Sequence, residues 1–238
     1  MDIDINLIKE LKANYGAIAE RARHAAPRPD EITVIAVSKT HPAEVLAAAV
    51  HAGIADFGEN YVQEMTEKHA ALTAAGIKVP RWHFIGHLQT NKVKYIAPFV
   101  DLIHSVDSLR LAEEISRQAE KNGRTIDIML QVNTSGESSK SGCEPNQLAE
   151  LFDSVRTVPH VNIVGLMTIG SFSTDEGVSR REFSLLARLR DQTEERTGVR
   201  LRNLSMGMSG DFELALELGA TMVRVGTAIF GNRFYAQK

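Results

Sequence analysis

The sequence predicts a (β/α)8 barrel, on three observations. Eight short apolar runs alternate with helical patterns from the first third of the chain to its end, and the units are near-equal in length. Strands separated by helices pair in parallel through right-handed crossovers, and eight such units in 238 residues match the size of a closed barrel. No G-x-G-x-x-G opens the first strand–helix turn, which weighs against the competing doubly wound open sheet. No linker, low-complexity segment or change of composition interrupts the rhythm, so a single domain over residues 1–238 is expected.

The elements follow in order. Leu7, Ile8, Leu11, Tyr15 and Ile18 recur at helical intervals within Asp4–His24, with Asp4 as a cap, and the prolines of Ala26–Asp30 end that helix. Ile32–Val37 is an apolar strand that stops at Ser38-Lys39-Thr40, and Pro42 opens the helix Ala43–Ala52, which Gly53 ends. Strand Ala55–Gly58 leads into helix Tyr61–Ala75, with Val62, Met65 and Leu72 on one side and Gly76 as its stop. Strand Trp82–Ile85 is followed by the short helix Thr90–Ile96. Strand Leu102–Val106 precedes a helix, Ser108–Asn122, capped by Ser108 and closed by Gly123. The strand Ile126–Val132, the polar loop Asn133–Gly142 and the helix Pro145–Thr157 come next. Strand Val161–Met167 leads to the long amphipathic helix Asp175–Arg196, with Phe183, Leu186 and Leu189 inward. Strand Arg202–Met206, helix Asp211–Leu218, strand Thr221–Val225 and a short tail from Ala228 complete the series.

Composition excludes several functions. Net charge is -3, with no basic footprint for nucleic acid. No apolar run approaches the ~20 residues that span a bilayer, so no membrane role is expected. The start MDIDINLIKE carries acids where a signal peptide carries bases, and the single cysteine, Cys143, suits a reducing compartment. A cytoplasmic protein is the expectation. His83 and His87 stand four apart, but Gly86 and the strand pattern between them argue against a helical metal pair, and no metal site is expected.

Barrel enzymes and binders place their sites at the C-terminal ends of the strands. Lys39 stands there after strand one, and Glu59-Asn60 after strand two. A lysine at the mouth of an apolar strand can form a Schiff base when its surroundings lower its pKa, whereas alone it reads as a side chain reaching solvent. After strand seven comes Ser205-Met206-Gly207-Met208-Ser209-Gly210, and after strand eight Gly226-Thr227. Barrels often bind phosphate with these two loops, where glycines admit an anion and hydroxyl and N–H groups donate to it. A ligand with an aldehyde and a phosphate satisfies the lysine and the cup together, and pyridoxal 5'-phosphate is such a ligand. Arg224 would face its pyridine nitrogen.

The chain closely resembles the pyridoxal phosphate homeostasis protein family, which shares the fold of the N-terminal barrel of alanine racemase. The resemblance is carried by VIAVSKT (Val34–Thr40), FGENYVQE (Phe57–Glu64), WHFIGHLQTNK (Trp82–Lys92), HSVDS (His104–Ser108) and QVNTSGESSKSG (Gln131–Gly142). It continues through GLMTIG (Gly165–Gly170), SMGMSGDFELALELGAT (Ser205–Thr221) and VRVGTAIFG (Val223–Gly231), almost the whole chain. Cys143, where an apolar or aromatic residue is expected, is a local departure. The resemblance implies a cofactor carried on Lys39 as an aldimine, with Ser205, Ser209, Gly226 and Thr227 around its phosphate and Arg224 at its pyridine nitrogen. It also implies Asn60 near the ring hydroxyl, and His83 and Met167 as ring neighbours. The family is regarded as a carrier and regulator of pyridoxal phosphate without an established reaction, with apo pyridoxal-phosphate enzymes as candidate transient partners.

Racemisation needs acid/base groups on both faces of the α-carbon. The sequence offers no tyrosine at a strand end, since Tyr15, Tyr61 and Tyr95 read as helical and Tyr235 lies in the tail. No second, β-rich domain is expected, and with it goes the usual dimerising element, so a monomer is anticipated. A weak amino-acid racemase and a cofactor-independent Schiff-base aldolase are the alternative readings.

Overall fold

A computed structural model describes residues 3–78, 80–137, 140–171, 173 and 175–231. Eight parallel strands close in sequential order, from β1 (Thr33–Val37) and β2 (Asp56–Glu59) through β3 (Arg81–Phe84), β4 (Leu102–Val106) and β5 (Ile126–Gln131) to β6 (Val161–Met167), β7 (Asn203–Met208) and β8 (Met222–Val225). The closing pair aligns Ile35 of β1 with Arg224 of β8. The open-sheet alternative is thereby excluded.

The helices lie outside, in the order α1 (Ile5–Ala25), α2 (Ala43–His51), α3 (Val62–Ala74), α4 (Val93–Ile96), α5 (Leu109–Lys121), α6 (Leu148–Val155), α7 (Glu176–Thr197), α8 (Phe212–Glu217) and α9 (Thr227–Phe230). Asp4 caps α1 by accepting from the Asn6 N–H at 2.8 Å, as its position before the apolar stripe anticipates. Helix α1 fills the gap where the ring closes. Its Arg21 holds Glu213 of α8 through two bonds of 3.0 and 2.8 Å, and its Asn14 donates to the Ile229 carbonyl of α9.

Between strands and helices lies the main core, where Phe57, Trp82, Phe84 and Phe152 have no exposed surface. Each such side chain contributes about 1.5–3 kcal/mol of burial free energy. A second, smaller apolar cluster lies inside the barrel, with Ile35, Leu102, Met129, Met167 and Met222. Both faces of these strands are buried, which is why they read as continuous apolar runs rather than alternating ones.

The structure departs from expectation at several ends. Residues Thr90–Lys92 and Pro145–Gln147 form 310 turns ahead of the true helices α4 and α6. Ser108 stands at the N-cap of α5 but its side chain makes no capping bond. Tyr61 is the extended N-cap of α3 rather than a helical residue. Strand β7 runs on to Met208, and the chain after β8 folds into α9, which is too short to leave a periodic signature. Tyr235 lies outside the described residues. No helix among the described residues is long and apolar enough to cross a membrane.

Candidate functional site

Strand β1 delivers Ser38-Lys39-Thr40 to the C-terminal rim, and the residues flanking Lys39 are fixed by buried polar contacts. The Ser38 hydroxyl donates to Glu59 Oε1 at 2.7 Å, and its N–H to the Gly58 carbonyl at 3.1 Å. The Lys68 ammonium, only 5% exposed, donates to Ser38 O at 2.8 Å, Glu59 Oε1 at 2.6 Å and Glu64 Oε2 at 3.1 Å. Glu64 in turn accepts the Thr40 N–H at 2.8 Å, across a residue held at a left-handed φ of 69°. A non-glycine residue there is strained and is kept in place by the surrounding bonds. Burial pushes the Glu59 carboxyl above the usual carboxylate range, against the opposing pull of Lys68 and Ser38. Sequence periodicity gave no reason to single out Lys68, which stands with Met65 and Leu72 on the buried side of α3.

Asn60 follows β2, and its backbone is pressed against Gly86. A methyl at residue 86 would stand 2.2 Å from the Asn60 carbonyl oxygen and 2.7 Å from its Cα. Only glycine admits that approach. Asn60 Oδ1 is buried and has no hydrogen-bond partner among the described residues.

The facing wall comes from β7 and β8. Gly207 has φ 88°, and a Cβ there would meet that of Ala215 at 2.5 Å. The loop it turns is pinned by Asp211, whose carboxylate accepts the Met208 N–H at 2.6 Å. Arg224 is 4% exposed and donates from Nη1 to Ser205 Oγ at 2.6 Å and from Nη2 to the Thr168 carbonyl at 2.8 Å. Burial draws its pKa down to about 10, opposed by the charge of Asp211, so the guanidinium stays cationic at neutral pH. Both of these acceptors are neutral, leaving a buried positive charge suited to an anionic or electron-rich ligand.

Lys39, Asn60, Ser209, Arg224, Gly226 and Thr227 line one cavity of about 470 Å3 at the C-terminal mouth of the barrel. The other three expected site residues do not line it. Met167 packs in the barrel cluster with Met129 and Met222. His83 and Ser205 also point into the barrel, where His83 meets Asp56 and His104, and Ser205 meets His104 and Arg224. By sequence, Ser205 stands both in strand seven and at the start of the loop that follows it; β7 turns its side chain into the barrel, where the hydroxyl bonds His104 and Arg224. Residues not anticipated complete the lining, among them His41, Ile85, Ile169 and Met208. The His41 ring lies 5.0 Å from that of Phe230, a contact that depends on α9 and could not be read from sequence. His87 is exposed, with Nδ1 3.5 Å from Ser141 Oγ, and among the described residues no three His, Cys, Asp or Glu side chains could hold a metal ion.

These features fit an aromatic aldehyde phosphate: an amine on one wall, an arginine with neutral partners, an unsatisfied amide oxygen, and two glycine-bearing loops with hydroxyls. The model of the alanine racemase N-terminal domain matches residues 8–233. Proteins named pyridoxal phosphate homeostasis protein match over most of their length. The one from Aquifex aeolicus is 46% identical, over 85% of this chain and 87% of its own. That from Escherichia coli K12 is 38% identical, over 97% and 100%. The solved structure of PipY from Synechococcus elongatus with PLP bound superposes with a TM-score of 0.84 at 35% identity, over 93% of this chain and 100% of PipY. Alanine racemase from Clostridium difficile shares the fold at 16% identity, with a TM-score of 0.75 over 97% of this chain and 58% of the racemase. Barrel, cavity and relatives agree, and the chain belongs to the pyridoxal phosphate homeostasis protein family.

Proposed function

We propose that this chain binds pyridoxal 5'-phosphate in the cavity at the mouth of the barrel and acts in the cytoplasm as a carrier and regulator of that cofactor. The observation that carries the reading is the convergence of Lys39, Asn60 and Arg224 with the Ser209 and Gly226-Thr227 loops on one cavity. Lys39 would hold the aldehyde carbon as a Schiff base. Ser209, Thr227 and the backbone of the two loops would hold the phosphate. The unsatisfied Asn60 Oδ1 would accept from the ring hydroxyl.

Bound pyridoxal phosphate supplies an electron-withdrawing ring whose strength depends on a proton at its pyridine nitrogen. Arg224 donates hydrogen bonds and gives up no proton, so it keeps that nitrogen unprotonated and the withdrawal weak. This favours holding the cofactor over carbanion chemistry. In this reading the protein is a monomer, has no catalytic reaction of its own, and meets apo-enzymes transiently. PipY, a 35% identical relative solved with PLP bound, supports the cofactor assignment.

The test is to load the purified protein with pyridoxal phosphate, reduce with borohydride and map the adduct by mass spectrometry. The expected label is on Lys39, and Lys39→Ala is expected to lose retention through gel filtration. A label on another lysine, or full retention by the alanine variant, overturns the assignment. Cofactor transfer to an apo-enzyme faster than release of free cofactor supports the carrier role. Solvent deuterium exchange at the α-carbon of amino acids would favour the racemase-like alternative.

A further inference from the structure

The interior of a barrel is usually filled with apolar layers, yet here a continuous polar chain crosses it. It begins at the N-terminal end of β2 and β3, where Arg81 holds Asp56 through bonds of 2.8 and 2.6 Å. His83 Nε2 lies 3.0 Å from Asp56 Oδ1, and His83 Nδ1 lies 3.0 Å from His104 Nε2. His104 Nδ1 lies 2.9 Å from Ser205 Oγ, which Arg224 Nη1 reaches at 2.6 Å. His83, His104 and Ser205 are at most 4% exposed. None of the three lines the cavity, so the binding scheme above leaves their chemistry unused.

The direction of the chain follows from what each group can donate. The ionised Asp56 carboxylate only accepts, so His83 Nε2 carries a proton and donates to it. In a neutral His83 imidazole Nδ1 is then the acceptor, and it takes the Nε2 proton of His104. That leaves His104 Nδ1 as an acceptor for the Ser205 hydroxyl proton. A guanidinium has no acceptor, so Ser205 Oγ accepts from Arg224 at the other end. Every bond points the same way, from Arg224 to Asp56, and each polarises the next. The electrostatics agree at both ends. Burial, with the charge of Arg224 nearby, holds the His104 imidazole neutral. Burial pushes the Asp56 carboxyl up, but bonds from His83 and Arg81 outweigh it and leave Asp56 below the usual range, as the terminal acceptor.

We infer that His104, acting through Ser205, is a positioning residue for Arg224, and that His83 and Asp56 complete a one-way relay joining the far mouth of the barrel to the cofactor cavity. The two ties on Arg224, to Ser205 and to the Thr168 carbonyl, fix the plane of its guanidinium. The relay sets the Ser205 tie by giving its hydroxyl proton a destination. The inference rests on the reading of the cavity as a pyridoxal phosphate site, but its first arm does not.

That first arm is carried out on the cofactor-free protein. Long-range 1H–15N correlation of the histidine side chains, assigned with His83→Gln and His104→Asn, is expected to show both His83 and His104 as the Nε2–H tautomer. A proton on His104 Nδ1 overturns the relay. The second arm measures affinity for pyridoxal phosphate, the absorption band of the bound cofactor and the melting midpoint. Ser205→Ala and His104→Leu are each expected to weaken binding about tenfold and shift the band. His104→Asn, whose Oδ1 can still accept from Ser205, is expected to restore most of the affinity. If the leucine variant does not fold, Ser205→Ala and His104→Asn decide alone. Lower melting midpoints with unchanged affinity and band overturn the positioning role. A wild-type protein that takes up no pyridoxal phosphate defeats the cofactor reading instead, and leaves the tautomer result standing by itself.

Discussion

Replacing Lys68 by methionine removes the cation beneath the Lys39 loop while keeping the length of the stem. The ammonium makes three bonds of 2.6–3.1 Å, to Glu59, Glu64 and the Ser38 carbonyl. Its main partner, Glu59, has no exposed surface, and Glu59 Oε2 has no hydrogen-bond partner among the described residues. The variant therefore strands a carboxylate supported only by the Ser38 hydroxyl. Breaking a buried ion pair in this way costs about 3–5 kcal/mol, or roughly 10 °C in melting midpoint for a chain of this size. The sign of the pH dependence is fixed. Glu59 already titrates above its ordinary value, and losing Lys68 removes the charge that opposes this. The folded state of the variant then binds more protons than the unfolded state, so stability falls as pH rises through the folded pKa, by at most about 1.4 kcal/mol per pH unit. Urea unfolding at pH 5 and pH 8 is the assay, with a larger loss expected at pH 8. Adding Glu59→Gln to Lys68→Met removes the stranded charge and is expected to recover about half of that loss or more. A loss below about 1 kcal/mol at pH 8, or one independent of pH, would refute the argument that Lys68 neutralises a buried carboxylate.

Three further expectations follow from single positions. Gly86→Ala places a methyl against the Asn60 backbone, which has no flexible end to yield, so a loss of about 2–3 kcal/mol is expected in denaturant titration, and an unchanged midpoint would count against that contact. Gly16→Ala lies on the exposed side of α1 with nothing within 4 Å, and a gain of about 0.5–1 kcal/mol is expected by the same measurement. Cys143 is 7% exposed and burial pushes its thiol up to about 12, so maleimide labelling at neutral pH should be slow and should follow unfolding; rapid labelling of the native protein would contradict this.

Much of the molecule was legible in the order of residues. The alternation of apolar runs and helical stripes needs no tertiary information, because burial on both faces gives a continuous run and burial on one face gives a 3.6-residue period. Lys39 at the end of β1 and the glycine-bearing loops after β7 and β8 were likewise visible, since a parallel barrel collects those ends at one mouth. Membership of the same family was legible in motifs spread along nearly the whole chain. Short elements were not: the four residues of α9 make barely one turn, and a period cannot be read from one turn.

What sequence could not decide is which polar residues meet inside. In strands buried on both faces, alternation carries no signal that separates inward from outward side chains. His83, His104 and Ser205 therefore looked like rim residues or went unmarked, although closure of the barrel joins them into one chain. His104 and Ser205 are 101 positions apart, and Ser205 and Arg224 are 19 apart. Lys68 is the same case on a helix, a charge that belongs to the core because Glu59 and the Ser38 carbonyl are waiting there. The sequence by itself determined the barrel, the amine at its mouth and the loops around it. Only the tertiary structure decided how the residues flanking that amine and how Arg224 are held, because their partners come from elements that meet only once the eight strands close.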